Sequence, residues 1–270
     1  MKKCDCIHCR FNNPKPTATA VIIKDQKILV GKRTSEPFKG KWDFFGGYMG
    51  ADEVPEEALK REIKEELGVE CEITYLGAFT GTANYENYHF PVVSFAYLTE
   101  LKGEINLNKK ENSKYEWVAI TKLNNIAFDS NEKILKFIKD KLVFDLDEVK
   151  KLIYQLDPSA NINEQSLYKA ILNGHLSKVE RDGKLVGLGW IFPRRTLLRK
   201  QAVVEDMIVN NEYRGQGLGE KILKDLIKWA KKEGIEVIEL TTNPKRIAAN
   251  SLYQKVGFIL HPTNHYLLQL

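Results

Sequence analysis

The sequence predicts a mixed α/β (α+β) protein built as two domains, and three observations carry that prediction. The chain has 270 residues, more than the roughly 100–200 of one average domain. An alternation of strand-like and helix-like segments runs through the first half, and a second alternation starts afresh between about residues 142 and 147, which is the signature of a new layered core. Hydrophobic residues make up 43% and charged residues 29%, an ordinary globular composition that excludes a disordered chain. The expected division is a Cys-rich segment 1–15, a first domain 16–143 and a second domain 144–270.

Charge and cysteines narrow the classes further. Lys and Arg number 41 against 36 Asp and Glu, a net charge of +5. The basic residues are dispersed, so small anions explain the bias and a nucleic-acid partner is not indicated. No apolar run approaches the roughly 18–20 residues of a membrane span, and the start lacks the apolar core of a signal peptide, so a cytoplasmic protein without a membrane partner is expected. Cys4, Cys6 and Cys9 crowd the first ten residues, with Cys71 far away. A disulfide framework does not follow from that spacing. Zn²⁺ at Cys4, Cys6 and Cys9, with His8 nearby, is the less favoured reading, because a structural zinc site draws on a second ligand pair and none follows.

In chain order, residues 17–23 and 27–31 are β-branched and apolar and flank the polar turn Lys24-Asp25-Gln26, a strand pair. A glycine-containing loop follows. Residues 55–67 read as a helix, with Pro55 suited to its first turn and Gly68 to its stop. Strands near 71–79, 91–99 and 115–119 and a helix near 131–141 complete the first domain. The second opens with helices near 147–156 and 163–173, with Leu142-Val143-Phe144 the candidate for its first strand. Strands near 177–181, 185–192 and 201–209, a long amphipathic helix near 217–233, a strand at 235–241, a helix near 245–255 and two short C-terminal strands finish the pattern.

The helix at 55–67 carries chemistry. With Leu59 at zero and about 100° per residue, Ile63 lies at about 40° and Leu67 at about 80°; Glu66 lies at about −20°, Glu62 at about −60° and Glu65 at about −120°. The three carboxylates therefore form a ridge beside the apolar stripe rather than opposite it. Charges gathered at a core margin are costly unless a cation sits among them, and oxygen-only ligation favours Mg²⁺ or Mn²⁺.

Gly47, Glu53, Arg61, Glu62, Ile63, Glu65, Glu66, Gly68 and Val69 match every fixed position of the pattern G-x5-E-x7-R-E-U-x-E-E-x-G-U, and residues 16–142 resemble the Nudix family. The resemblance implies an α/β/α sandwich that hydrolyses a nucleoside diphosphate linked to another moiety. It implies that Glu62, Glu65 and Glu66 bind metal, with Glu65 also catalytic, that Glu53 supports the site, and that Arg61 pairs with a box carboxylate. Phe45 stands where the family often has proline. Glu111 is either a further site carboxylate or a solvated loop glutamate. Tyr85, Tyr88 and Phe90 either stack on a nucleobase or belong to core or lid.

The second half carries a strand, a glycine turn and a helix, VVEDMIVNNEYRGQGLG. Glycines there permit close backbone approach, and exposed N–H groups from Arg214 to Gly219 with the helix dipole form an anion cradle. About thirty residues on comes NPKRIAANSLYQKVGF, and the two segments together resemble the GNAT acetyltransferases over 145–270. The resemblance implies a mixed-sheet fold that binds acetyl-CoA. Arg214, Gly215, Gln216, Gly217, Leu218 and Gly219 would hold its diphosphate, Met207, Ile208 and Val209 would pair with the pantetheine arm, and Asn250 would contact the cofactor. Tyr253 matches the usual general acid. Glu205 is either a general base or, with Asp206, a binder of a cationic substrate.

The combined expectation is a bifunctional enzyme taking a nucleotide-type diphosphate, acetyl-CoA and an amine acceptor, with a homodimer left open. The alternative is a first domain that senses a ligand and regulates the transferase; the full set Glu62, Glu65 and Glu66 argues against it.

Overall fold

The computed structural model describes residues 13–85, 88–266 and 268, with the side chains of Tyr85 and Tyr88 outside the description. The chain divides between Phe144 and Asp145 into two compact units.

The first unit comprises β1 (Lys15–Val21), β2 (Ile23–Lys24), β3 (Lys27–Arg33), β4 (Trp42–Asp43), β5 (Phe45–Tyr48), α1 (Pro55–Leu67), β6 (Glu70–Tyr85), β7 (Tyr88–Lys102), β8 (Asn112–Ala119) and α2 (Asp129–Leu142). One sheet has the order β5-β1-β7-β6; in the other, β3 pairs with β2, β4 and β8. β1 runs parallel to β7 and antiparallel to β5. Alternation along β1 sends Ala18 and Ala20 into a core with Leu59, Ile63 and Leu67 of α1, while Thr17 and Thr19 face a cavity bordered by Ser130 and Asn131 of α2. Period-two geometry thus separates the two helices onto opposite faces of the sheet, an α/β/α sandwich.

Helix α1 begins and ends where its sequence dictates. Pro55 occupies its first turn, and Glu57 reaches back to accept from Val54 N–H (3.2 Å), half of a capping box, since valine has no side-chain acceptor. Gly68 closes it in the left-handed region (φ 70°), its N–H donating to Lys64 O.

The second unit comprises α3 (Leu146–Leu156), α4 (Glu164–Leu172), β9 (His175–Arg181), β10 (Lys184–Arg195), β11 (Lys200–Val209), a 3₁₀ turn at Asn211–Tyr213, α5 (Leu218–Lys232), β12 (Val237–Leu240) and α6 (Ile247–Val256). Asp145 and Asn163 cap α3 and α4 through their side chains. The sheet order is β12-β11-β10-β9, antiparallel except for β11 with β12. Leu218, Ile222, Leu226 and Ala230 of α5 bury against it. Gly189 makes that approach possible, because a Cβ there would lie 2.8 Å from Ile222 Cγ2.

Two expectations are corrected. No strand forms at 142–144: Leu142 ends α2, and the polar backbone there is satisfied by one side chain, with Gln26 Nε2 donating to Leu142 O (3.3 Å) and Phe144 N–H donating to Gln26 Oε1 (3.1 Å). Phe144 lies on the first unit's side of the division. The two C-terminal strands are also missing among the described residues. Pro262 interrupts that stretch and has no N–H to donate to a ladder, and Ile259 and Leu260 stand exposed.

Candidate active sites

In the first unit the chemistry gathers where α1 meets the β5 turn. Glu66 is 4% exposed, and both its oxygens are held: Gly46 N–H donates to Oε2 (2.7 Å) and Asn112 Nδ2 to Oε1 (2.8 Å). One lone pair on each oxygen is left for another electrophile. Glu62 leans on the glycine turn so closely that a Cβ at Gly47 would fall 2.5 Å from its Oε1. Gly46, at φ +127°, would place a Cβ 2.1 Å from Ala18 O, so only glycine lets β5 lie against β1 here.

Arg61 is the hub. Nε and Nη2 donate to the two oxygens of Glu53 (2.6 and 3.0 Å), Nη1 donates to Glu62 (2.9 Å) and Glu65 (3.3 Å), and Nη2 also reaches Tyr48 O (3.1 Å). Glu53 accepts in addition from Gly50 N–H (2.7 Å). The hydrogen bonds from Arg61 and Gly50 lower the Glu53 pKa to about 2. The remaining carboxyls go the other way. Burial raises Glu62 and raises Glu66 well above the usual range, and the neighbouring Glu111 pushes both further. Glu111 is exposed, with its backbone carbonyl tied to Thr34.

The acidic ridge therefore meets a further carboxylate across the turn. Among the described residues no three or more His, Cys, Asp or Glu side chains already stand as a metal-holding group; Arg61 bonds Glu53, Glu62 and Glu65. The donor set still fits a hard divalent cation: Glu62, Glu66 and Glu111 offer only oxygen, and burial together with neighbouring negative charge raises the pKa of Glu62 and Glu66, the condition a bound cation relieves.

Sequence reasoning misses Asn112, Arg33 and Asp43. Arg33 Nη1 donates to Asp43 Oδ2 (2.8 Å), its guanidinium lies 4.9 Å from the Phe128 ring centre, and Asn131 Nδ2 donates to Asp43 Oδ1 (2.7 Å). Burial raises Asp43 to about 6 against these donors. Arg33, Asp43 and Asn131 border a cavity of about 210 Å³ beside the Gly46-Gly47 turn. Of the aromatic trio, Phe90 lies beneath the Lys15 ammonium (4.8 Å), while the side chains of Tyr85 and Tyr88 lie outside the described residues. So do Cys4, Cys6, His8 and Cys9 and the zinc reading that rests on them.

In the second unit a cavity of about 800 Å³ runs between β11, the glycine turn and α6, bordered by Met207, Val209, Arg214, Gly217, Gly219 and Tyr253. Ile208, Gly215 and Leu218 also line it. Gly215 and Gly217 have φ of 78° and 75°, and an added Cβ at either would meet nothing within 4 Å, so the left-handed backbone is what calls for glycine there. Gly217 caps α5 without a side chain, leaving the first N–H groups of that helix facing the turn. Gly219 serves packing: its Cβ would lie 3.2 Å from Leu252 of α6.

β12 pairs with β11 only along Gln201–Val204. Beyond that point β11 continues to Val209 with its edge turned to the cavity. A bulge sets Asp206 and Met207 against Gly189, with Asp206 at φ 49°. Burial raises the pKa of Glu205, Asp206 and Tyr253, and Glu205 adds to the rise at Tyr253. Asn250 and Gln216 are not among the cavity's lining residues. Asn250 Nδ2 donates instead to Asn243 O and Arg246 O, tying down the start of α6.

Comparison with known proteins agrees with both halves. The family model of the NUDIX domain matches residues 13–140. An ADP-ribose pyrophosphatase of Methanocaldococcus jannaschii is 33% identical over 127 residues, 47% of this chain and 73% of that protein. The chain belongs to the Nudix family. Its Nudix domain is followed by a second domain matched by the acetyltransferase (GNAT) family model over residues 145–258. An uncharacterized N-acetyltransferase of Bacillus subtilis, YobR, is 35% identical over 66 residues, 24% of this chain and 27% of that protein. Glucosamine 6-phosphate N-acetyltransferase 1 of Oryza sativa is 28% identical over 120 residues, 40% of this chain and 71% of that protein. Among the described residues no helix is long and apolar enough to cross a membrane.

Proposed function

We propose that the chain is a bifunctional enzyme: a pyrophosphohydrolase acting on a nucleoside diphosphate linked to another moiety, joined to an acetyltransferase that moves the acetyl group of acetyl-CoA to an amine. The observation that carries the first activity is the placement of Glu62 and Glu66 against the Gly46-Gly47 turn, with Glu65 drawn to the same Arg61 guanidinium as Glu62. Glu62, Glu65 and Glu66 would hold Mg²⁺ or Mn²⁺, which when bound neutralises diphosphate oxygens and lowers the pKa of an attacking water. Gly46 N–H and Asn112 fix the Glu66 carboxylate. Arg61 anchors Glu53 and the Tyr48 carbonyl, so the loop before α1 keeps its place against the helix. Arg33 lines the adjoining cavity and would offer a cation to a substrate's phosphates there.

For the second activity, the Arg214–Gly219 turn would take the diphosphate of acetyl-CoA, the open edge of β11 at Met207–Val209 its pantetheine arm, and Tyr253 would protonate the departing thiolate. Glu205 would accept the acceptor's proton. The similarity to an ADP-ribose pyrophosphatase and to a glucosamine 6-phosphate N-acetyltransferase makes ADP-ribose and glucosamine 6-phosphate the first compounds to try. The test is hydrolysis of a panel of nucleoside diphosphate derivatives with Mg²⁺, with acetyl-CoA consumption followed separately on candidate amines. Replacing Glu65 and Glu66 by Gln should reduce hydrolysis at least about 100-fold, the several kcal/mol that metal assistance contributes, and leave acetyl-CoA binding intact. Hydrolysis at the parent rate would refute the ligand assignment; nucleotide binding without turnover in the parent protein would favour a sensing role for the Nudix domain.

A further inference from the structure

We propose that the tip of the β10–β11 hairpin is a docking point for an anionic phospholipid surface. Leu197 and Leu198 sit side by side at this tip with relative exposures of 106% and 88%, so essentially none of either side chain is covered. An untethered loop would fold such residues back onto the sheet to remove apolar area from water. Here the turn is closed against that: Thr196 N–H donates to Arg199 O (3.2 Å), and Thr196 Oγ1 accepts from Leu198 N–H and Arg199 N–H (3.3 Å each). The pair is held outward by the fold.

The charge on the hairpin itself is basic, and the carboxylates beside it, Glu239 on Arg194 and Glu236 on the Lys200 N–H (3.0 Å), lie at the strand residues rather than at the tip. Arg194, Arg195, Arg199 and Lys200 flank the two leucines, and the sequence has no acidic residue between Asp182 and Glu205. Glu239 pairs with Arg194, and Arg199 Nε donates to the neutral Gln201 Oε1 (3.2 Å). Arg195 and Arg199 thus leave positive charge beside the apolar knob. A partner must offer negative charge and, immediately beneath it, a non-aqueous medium. An anionic bilayer has both in one surface, phosphates at headgroup depth and hydrocarbon below. Nucleic acid has the phosphates but takes aliphatic side chains only by unstacking its bases, which is costly at each step. A specific protein interface needs roughly 800 Å² from each partner, far more than a two-residue knob presents. The sequence reading expects no membrane partner because it finds no spanning segment, and that ground does not bear on a tip that only touches a surface.

The experiment is co-sedimentation of the full chain with vesicles of phosphatidylcholine alone or with about one-third phosphatidylserine, at low and high ionic strength. The expected result is at least about tenfold tighter binding to the anionic vesicles, weakened by salt as for any contact between exposed charges. Leu197→Ser with Leu198→Ser should abolish the binding, and Arg195→Gln with Arg199→Gln should weaken it about tenfold. Because the four side chains are exposed, both variants should keep the parent's melting temperature, which checks that folding is intact. Failure of the parent protein to sediment with phosphatidylserine vesicles would overturn the proposal. Equal binding to uncharged vesicles, or binding that survives the leucine substitutions, would overturn it as well.

Discussion

Tyr253 lies on α6 with its ring edge-on to Phe258, centroids 6.1 Å apart, and burial raises its pKa from the usual phenol value, with Glu205 adding to the rise and Arg246 opposing it. A phenol so placed is protonated at neutral pH and can donate to a developing thiolate. Tyr253→Phe keeps the ring and its packing. Turnover of acetyl-CoA should fall by about 10²–10⁴-fold, the usual contribution of a positioned general acid, while acetyl-CoA affinity holds because the diphosphate turn is elsewhere. Titration calorimetry beside a thiol-release assay measures the two separately; unchanged turnover would mean that another group protonates the thiolate. Tyr253 and the box glutamates are legible in sequence because each belongs to a local spacing. Asn112 is not. It reaches Glu66 across 46 positions of sequence, and Arg33 and Asp43 become a pair only when β3 and β4 align. No spacing along the chain announces such partners, and Asn250, which does lie in a motif, turns its amide to the backbone rather than to the cavity.

Among the elements, α5 and α6 meet through Gly219 against Leu252 and through Glu220, whose oxygens accept from Lys224 of its own helix (2.7 Å) and Lys255 of α6 (2.6 Å). The hydrogen bonds from Lys224 and Lys255 lower the Glu220 pKa to about 2. A carboxylate whose folded pKa is depressed adds stability above its ordinary pKa and loses it as pH falls through the folded value. Glu220→Gln should therefore lower the melting temperature modestly at neutral pH, with the gap to the parent closing between about pH 4.5 and 2 and shrinking with salt. Thermal melts of the two proteins across that range decide it; a gap that is constant with pH would show that packing, not charge, is involved. The ends of α1 are legible because Pro55 and Gly68 act locally. The reach of β6 and β7 is not: residues 71–79 and 91–99 look strand-like, yet the ladder extends to Tyr85 and Tyr88, because pairing between two chain segments carries it beyond the residues with strand propensity. β4 and β5 hide in a glycine-rich stretch for the same reason.

At the scale of the whole molecule, the restart of the alternating pattern is a statement about cores. The first unit buries Leu29, Phe45, Leu59, Ile63 and Leu67 in one cluster, and the second buries Val186, Ile191, Val204, Ile222 and Leu226 in another. Each has helices to cover its own sheet, so each satisfies the layer requirement without the other. Fragments 1–144 and 145–270 should then fold separately, provided the cut leaves Phe144 with the first, where its N–H donates to Gln26 Oε1. At about 0.7 kcal/mol per residue near 60 °C, calorimetry of the two should show cooperative enthalpies of roughly 100 and 90 kcal/mol. The first fragment should keep metal-dependent hydrolysis and the second acetyl-CoA binding, since the residues proposed for each lie wholly on one side of the cut. Broad, low-enthalpy melts from either fragment would show that its core is completed by the other unit. A first fragment that folds yet loses hydrolysis would move part of that site across the boundary.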